Sequence, residues 1–413
     1  MSPTVQRAIA ATYMRGGTSK GVFFLASDLP CDPAERDALL LRIMGSPDGY
    51  GKQIDGMGGA SSSTSKVILI AASERPDADV QYWFGQVAID RPLIDWRGNC
   101  GNLTAAVAPF AIATGLVAAP QEGHATVRLW QAAIAKHIVA RVPIHAGQVV
   151  ETGDFMLDGV TFPAAEIELA FIDPGEPAAD TPATATAFPR PARSDLTSAP
   201  VSGLPSNAPN PDALLPTGRA LDILTLADGT MLEATLINAG NPAVFVDAAS
   251  LGMTGIERQS DVNGNAELLT RCEAVRATAA VAMGLADSVE QASAERPSTP
   301  KLAFFAKPAA YTASDGRAVG AEEIDITARI LSMGQLHHAM TGTGAVAIAA
   351  AAAIEGTVLS RIVAGAKESV CFGHPSGTLK VGAQATCVDG TWRVAQVCMS
   401  RSARRLMTGF VFA

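Results

Sequence analysis

Gly98-Asn99-Cys100-Gly101-Asn102-Leu103-Thr104-Ala105-Ala106 sets a glycine turn carrying a cysteine directly before a helix that reads as apolar on every face. The first N–H groups of such a helix have no partner inside it, and the aligned peptide dipoles make that end positive, so it suits a carboxylate or a phosphate. The same field favours a thiolate over a thiol. Taken alone, the motif reads equally well as a structural cysteine buried beside a tight turn. Thr341-Gly342-Thr343-Gly344 repeats the pattern and leads into a run of alanine, valine and isoleucine that ends at Ile354. A helix apolar all round belongs inside a core, and this one has about half the residues a bilayer span needs. Each turn therefore predicts the central helix of its own wrapped sheet.

The chain of 413 residues exceeds what one hydrophobic core fills, which predicts two domains of similar size. Acidic residues outnumber basic ones, 40 to 31, and the only dense basic run is 401–405, so nucleic acid is not an expected partner. A net charge of −9 does nothing to draw in an anion, so any acid-binding site must rest on local positive groups. Cys31, Cys100, Cys272, Cys371, Cys387 and Cys398 have neither CxxC spacing nor the density of a disulfide scaffold, which reads as reduced thiols. The first residues lack a basic segment followed by an apolar core, and the expected location is cytoplasmic.

Strand patterning at 9–14 and 21–25 flanks a turn at 15–20, and an amphipathic helix is predicted from Asp32 through Met44. A polar loop at 56–65 ends at Lys66, the junction with an apolar strand at 67–71. Further strands are predicted at 80–84, 125–130 and 137–143. From 173 to 218 proline, alanine, serine and threonine dominate, which reads as a linker or surface excursion. Patterning resumes at 221–226 and in the run Ala234 to Val246, where Asn238-Ala239-Gly240-Asn241-Pro242 makes a polar turn between apolar strands. One or two amphipathic helices follow at 258–283, then a strand at 324–333. Both halves thus order a polar turn between strands ahead of a glycine-turn helix, which predicts pseudo-symmetric domains. Two such helix starts facing one another across a cleft would suit a small molecule with two or three carboxylates.

His337-His338 invites a metal reading, but neighbours in sequence point apart and no third ligand spacing accompanies them, so no metal site is expected. The segment 51–59 fits neither phosphate-loop pattern. Arg401 reads as an anion clamp or as part of a solvated terminal cluster; for Arg404 and Arg405 the solvated reading is preferred. Lys66 on its own reads more readily as a strand-edge surface lysine than as a base.

Met14-Arg15-Gly16-Gly17-Thr18-Ser19-Lys20-Gly21, Gly56-Met57-Gly58-Gly59 with Ser65-Lys66, Gly98-Asn99-Cys100-Gly101-Asn102, Asn238 to Pro242, Leu331 to Ala339, Gly373-His374-Pro375-Ser376-Gly377 and Ser400 to Met407 run through nearly the whole chain in order. On these motifs the chain resembles the PrpF family of allylic isomerases, built on the diaminopimelate epimerase fold. The resemblance implies an α+β molecule of two pseudo-symmetric domains, each a sheet around a central apolar helix, with the active site in the cleft between them. The domains are placed at 1–185 and 186–393, with a C-terminal strand at about 394–413 returning to the first.

In the parent fold two cysteines exchange a proton across the substrate; here Cys100 has Thr341 as its counterpart, which disfavours a racemase or epimerase. The resemblance is nearest to the 4-oxalomesaconate Δ-isomerases. It implies conversion of 4-oxalomesaconate to 2-keto-4-carboxy-3-hexenedioate in the catabolism of lignin-derived aromatics, with no cofactor. Lys66 as its neutral amine would move the proton, and Cys100 would contribute. A base working near neutrality needs the ordinary lysine pKa of about 10.4 lowered, by burial or by the cations Arg15 and Lys20.

Implied substrate contacts are Arg15, Gly17, Thr18, Ser19, Lys20, Ser65, the N–H groups of Gly101, Asn102 and Leu103, those of Gly342, Thr343 and Gly344, and Asn241, Arg276, Ser376 and Gly377. The competing readings are a 2-methylaconitate cis-trans isomerase and a non-catalytic tricarboxylate-binding accessory protein. The expected partner is a di- or tricarboxylate, with a homodimer as the expected assembly and neither nucleic acid nor membrane involved.

Overall fold

The computed structural model describes residues 5–175 and 209–413. Within them the chain divides into two compact units, one holding 5–169 and 400–413, the other 170–175 and 209–399. The expected boundary at 185/186 falls outside the described residues. So does most of the proline-rich stretch; its end is packed rather than loose, with Leu214 and Leu215 buried and Asn238 N–H donating to the Leu214 carbonyl at 2.8 Å.

The strands of the first unit are β1 (Ala8–Gly16), β2 (Ser19–Leu25), β3 (Lys66–Ala72), β4 (Val80–Val87), β5 (Glu122–Gln131) and β6 (Lys136–His145). Its helices are α1 (Pro33–Met44) and α2 (Gly101–Ala113). A strand β7 (Ile167–Ile172) leads out of it. The second unit holds strands β8 (Asp222–Thr225), β9 (Met231–Ala239), β10 (Asn241–Asp247), β11 (Lys301–Ala306), β12 (Ile326–Ser332), β13 (Ser369–His374) and β14 (Gly377–Val388). Its helices are α3 (Gln259–Asn263), α4 (Ala266–Ala282), α5 (Val289–Glu295), α6 (Gly342–Ala352) and α7 (Val358–Ile362). Strand β15 (Thr391–Arg401) ends that unit, and β16 (Ala403–Phe412) lies in the first, antiparallel to β1 with Ala8 opposite Phe412. The chain re-enters the first unit at Ser400, later than the position near 394 that the sequence suggested.

The repeat expected from the sequence is present in the pairing. In the first unit β1 to β6 follow one another as antiparallel, parallel, antiparallel, parallel, antiparallel neighbours. Strands β9 to β14 of the second unit follow the same order. In each, the first parallel connection carries an outer helix and the second an inner one. Side-chain alternation divides the faces. Val22, Phe24, Val67 and Leu69 pack on Leu40, Ile43 and Met44 of α1, whereas Phe23 turns the other way, its ring 5.8 Å from Phe110 of α2. Likewise Val244, Leu302 and Phe304 pack on Cys272, Val275 and Ala279 of α4, leaving the opposite face for α6.

Helix α1 starts where expected, Asp32 accepting the Glu35 N–H at 2.8 Å and Pro33 occupying the first turn. The hairpin turn is tighter than 15–20, since the strands run on to Gly16 and Ser19. All six cysteines are free. No helix among the described residues is long and apolar enough to cross a membrane.

Candidate active site

Helix α2 is buried from Gly101 through Ile112, and its start is held from two directions. Behind it, Asn99 Oδ1 accepts the Cys100 N–H at 2.8 Å and the Tyr82 hydroxyl at 3.1 Å, while Thr104 Oγ1 donates to the Cys100 carbonyl at 3.0 Å. In front lies the β1–β2 hairpin. A Cβ on Gly16 would stand 2.6 Å from the Asn102 carbonyl oxygen, and one on Gly17, whose φ is +50°, would stand 2.5 Å from Asn102 Oδ1. Only glycine lets the hairpin approach the first turn this closely, which is the physical content of the Gly16-Gly17 pair.

Cys100 is the N-cap. Its backbone is extended (φ −117°, ψ 91°), its Sγ accepts the Leu103 N–H at 3.5 Å, and its thiol reaches Ser19 Oγ at 3.9 Å. A cap normally filled by Ser, Thr, Asp or Asn is here a sulfur. Thr341 stands at the same place on α6, its Oγ1 accepting the Gly344 N–H at 3.1 Å, as the pairing of Cys100 with Thr341 expected.

Lys66 opens β3 and is only 5% exposed, so it is no surface lysine. Alternation with Val67 and Leu69, which face α1, turns its side chain toward the α2 side. There Nζ donates to Gln86 Oε1 at 2.5 Å and lies 4.9 Å from the centroid of the Phe84 ring. Gln86 is fixed in turn, its Nε2 donating to the Ser65 carbonyl at 3.1 Å. Burial pushes the Lys66 ammonium below the ordinary lysine value, with the charge of Cys100 acting in the opposite sense. A neutral amine with one N–H pointed at Gln86 has a lone pair for a proton.

Of the two expected causes, burial or the cations Arg15 and Lys20, burial is the one that lowers the Lys66 value. The two residues are directly opposite one another across the hairpin and share a face. Lys20 lies 5.4 Å from the Tyr13 ring, on the α1 side, and so points away from its neighbour Ser19. Arg15 Nη1 donates to the carbonyls of Gly17 and Ser402, both at 3.0 Å. The cation on the Cys100 side is Arg401 instead, 2% exposed, its Nε donating to Asn102 Oδ1 at 3.2 Å. Gln86 is a residue of this site that the sequence reading did not reach, and Arg401, read from sequence as an anion clamp or a solvated terminal residue, is buried against Asn102 rather than solvated.

Of the remaining expected contacts, Thr18, Ser19, Gly101, Asn102 and Leu103 do gather at the α2 start, with Asn102 Nδ2 donating to Thr18 Oγ1 at 2.9 Å. Ser65 does not offer its proton outward: the buried hydroxyl donates to Gln53 Oε1 at 2.5 Å. Arg276 is a correction too. Its five N–H groups are taken by the Glu273 carboxylate (2.7 and 2.6 Å) and by the carbonyls of Ala292, Arg296 and Thr299 (3.0 to 3.1 Å), so it ties α4 to α5 and has no donor left.

In the second unit Asn241 Nδ2 donates to Thr343 Oγ1 at 3.4 Å, beside Gly342 and Gly344 at the start of α6. Ser376 Oγ donates to the His338 carbonyl at 2.6 Å and Gly377 accepts the Tyr311 hydroxyl at 2.5 Å, so that turn braces the segment leading into α6. His337 and His338 stack on one another, 4.6 Å between centroids, and burial holds His338 below the usual histidine value. No group of three or more His, Cys, Asp or Glu able to hold a metal ion occurs among the described residues.

The second unit also repeats the lysine. Lys301 opens β11 beside Ala243, the third residue of β10, as Lys66 opens β3 beside the third residue of β2. Its Nζ meets Ser332 Oγ across the antiparallel neighbour at 3.4 Å, where Lys66 meets Gln86. Lys301 Nζ also donates to the Ser298 carbonyl at 2.7 Å.

Comparison with known proteins bears on this arrangement. A 2-methyl-aconitate isomerase of Shewanella oneidensis is 51% identical over 98% of this chain and 97% of its own, and one of Cupriavidus necator is 50% identical over 100% and 98%. A (4E)-oxalomesaconate Delta-isomerase of a Novosphingobium species is 36% identical over 97% and 96%. The crystal structure of a methylitaconate-delta-isomerase superposes with a TM-score of 0.70 at 33% identity, covering 99% of this chain and 96% of that one. That of a probable proline racemase from Agrobacterium radiobacter shares the fold alone, with a TM-score of 0.52 at 13% identity over 98% and 92%. The family model described as "PrpF protein" matches residues 6–204 and 197–413, and this chain, an isomerase, belongs to that family.

Proposed function

We propose that the protein isomerises 2-methylaconitate, a tricarboxylate, by proton transfer at an allylic carbon through Lys66. The observation that carries the substrate is the identity of 51% and 50% to the 2-methyl-aconitate isomerases, along the full length, against 36% to the oxalomesaconate enzyme. This reading replaces the expected 4-oxalomesaconate, and with it the place in aromatic catabolism.

The chemistry follows from the acid. Its methylene is allylic to the carbon–carbon double bond. Neutral Lys66 takes a methylene proton and becomes an ammonium; the electron pair spreads over the three allyl carbons and into the carboxylate at the far end. The former double bond then has single-bond character and turns. Return of the proton to the same carbon gives the other geometric isomer, and return at the far carbon shifts the double bond. With no ketone as electron sink, the developing charge relies on preorganised donors, and the N–H groups of Gly101 and Asn102 at the start of α2 are suited to it. Cys100, capping that turn beside Ser19, serves as a second proton donor. Thr18 and Asn102 add polar contacts in the first unit; Asn241, Gly342, Thr343 and Gly344 are the candidate carboxylate ligands of the second.

Both acids should be incubated with the protein in heavy water and followed by NMR. Methylaconitate should interconvert and take up deuterium at the allylic carbon. If 4-oxalomesaconate turned over with a kcat/KM about 100-fold above that of methylaconitate, the substrate assignment would be wrong.

A further inference from the structure

Arg401 lies at the end of β15 and is almost wholly buried, yet no carboxylate among the described residues pairs with it. Its Nε donates to Asn102 Oδ1 at 3.2 Å and one Nη1 N–H to the Ser400 carbonyl at 2.9 Å, both neutral acceptors. Neither N–H of Nη2 meets an acceptor among the described residues. Arg276, equally buried, shows the ordinary solution, with a glutamate and three carbonyls around all five donors. A buried guanidinium without an anion is strongly disfavoured unless something else supplies the charge. Burial draws the guanidinium down to about 10, with Cys100 acting in the opposite sense.

Two neighbours point the same way. The next residue, Ser402, is 1% exposed and its Oγ has no hydrogen-bond partner among the described residues. Asn102, the acceptor of the Arg401 Nε–H, is in the first turn of α2, whose leading N–H groups have no partner within the helix. A planar fork and a positive helix end thus meet through Asn102 in a protein whose net charge is −9.

We propose that Arg401 is a substrate-binding residue whose guanidinium fork receives one carboxylate of the acid beside the Cys100 end of α2. The assignment rests on the proposed acid substrate and adds to it the residue that discriminates for a carboxylate at that position. The fork geometry matters as well as the charge, since two parallel N–H groups match a carboxylate and an ammonium does not.

Tricarballylate, a saturated tricarboxylate with no double bond to move, tests this without turnover. Calorimetric binding to the wild-type chain is compared with Arg401→Lys, Arg401→Gln and the exposed control Arg404→Gln, each checked for a wild-type melting profile. The expected weakening is about 30-fold for Arg401→Lys and about 100-fold or more for Arg401→Gln, with Arg404→Gln within about 3-fold. Should the Arg401 variants fail to fold, 15N-arginine spectra of the wild-type chain serve: the most downfield-protected Nε–H signals from buried arginines include that of Arg401, and one of them must shift on saturation with tricarballylate. Unchanged affinity in a folded Arg401→Gln, no shifted buried signal, or no binding to the wild-type chain each overturns the proposal. Binding of tricarballylate that depends on Arg401, with neither unsaturated acid isomerised, leaves Arg401 in place and overturns the reading of the reaction instead.

Discussion

Lys66 meets Gln86 across its sheet and Cys100 caps the helix beyond; in the second unit Lys301 meets Ser332 and Thr341 caps the helix. The backbone frame is the same in both, down to the strand position of each lysine. What differs is the chemistry mounted on it. A thiol can give and take a proton near neutral pH and a threonine hydroxyl cannot, so in the proposed reaction the frame repeats while proton transfer belongs to one copy. The hydrogen bonds differ in kind as well. Lys66 has a side-chain amide that orients it, whereas Lys301 is drawn to the Ser298 carbonyl of its own preceding loop.

The sharpest way to break this asymmetry is Lys66→Met. Activity should fall by about 10⁴-fold and deuterium wash-in should vanish, because the amine that takes the methylene proton is gone. The same variant carries a pH signature. With its folded pKa below the unfolded value, Lys66 lowers stability at neutral pH, and that penalty fades as pH rises through the window between the folded value and about 10.4. The methionine variant should therefore melt higher than wild type near pH 7, with the gap closing toward pH 10. The wild-type rate should rise with pH through an inflection below that of an ordinary lysine. A methionine variant that keeps wash-in would remove Lys66 from the mechanism.

A middle-sized contrast separates the two caps. Cys100→Ala should lower kcat about 10²-fold, whereas Thr341→Ala should mainly remove a helix cap, about 1 kcal/mol in chemical denaturation with kcat within about 10-fold. Equal kinetic losses would mean that the two caps share one role. The smallest effect is expected from Lys301→Met: a lower melting temperature from the lost contacts to Ser298 and Ser332, and kcat within about 3-fold of wild type. A collapse of kcat in a folded Lys301→Met would make the second lysine part of the chemistry and end the asymmetry.

Local signals carried most of what could be read from the sequence. Both central helices, their capping residues, the position of Lys66 at a strand start and the repeated order of parts each rest on a few contiguous residues. Gly16-Gly17 was visible as a turn but not as the landing place of α2, because the approach of Asn102 is a tertiary fact. Arg15 and Lys20 belong to the same motif as Ser19, but on a strand Ser19 and Lys20 face opposite ways, so the motif alone does not place them on the Cys100 side. Arg276 looked like a spare cation because its partners include backbone carbonyls, which no side-chain pattern reveals. Arg401 stands 299 residues from the Asn102 it contacts, beyond the reach of any spacing argument. The preference between 2-methylaconitate and 4-oxalomesaconate is not carried by the motifs either, since those shared by the family belong to the common frame.

The pairing of β1 with β16 has a bearing on how the molecule is made. Arg7 N–H donates to the Ala413 carbonyl at 2.7 Å, so the sheet that carries Lys66 stays one strand short while a ribosome is still adding residues up to 413. Residues 209–399 of the second unit emerge before that strand does. The unit that holds Lys66 and Cys100 thus closes its sheet only once residues 403–412 have been added, after the strands of the second unit are already synthesised.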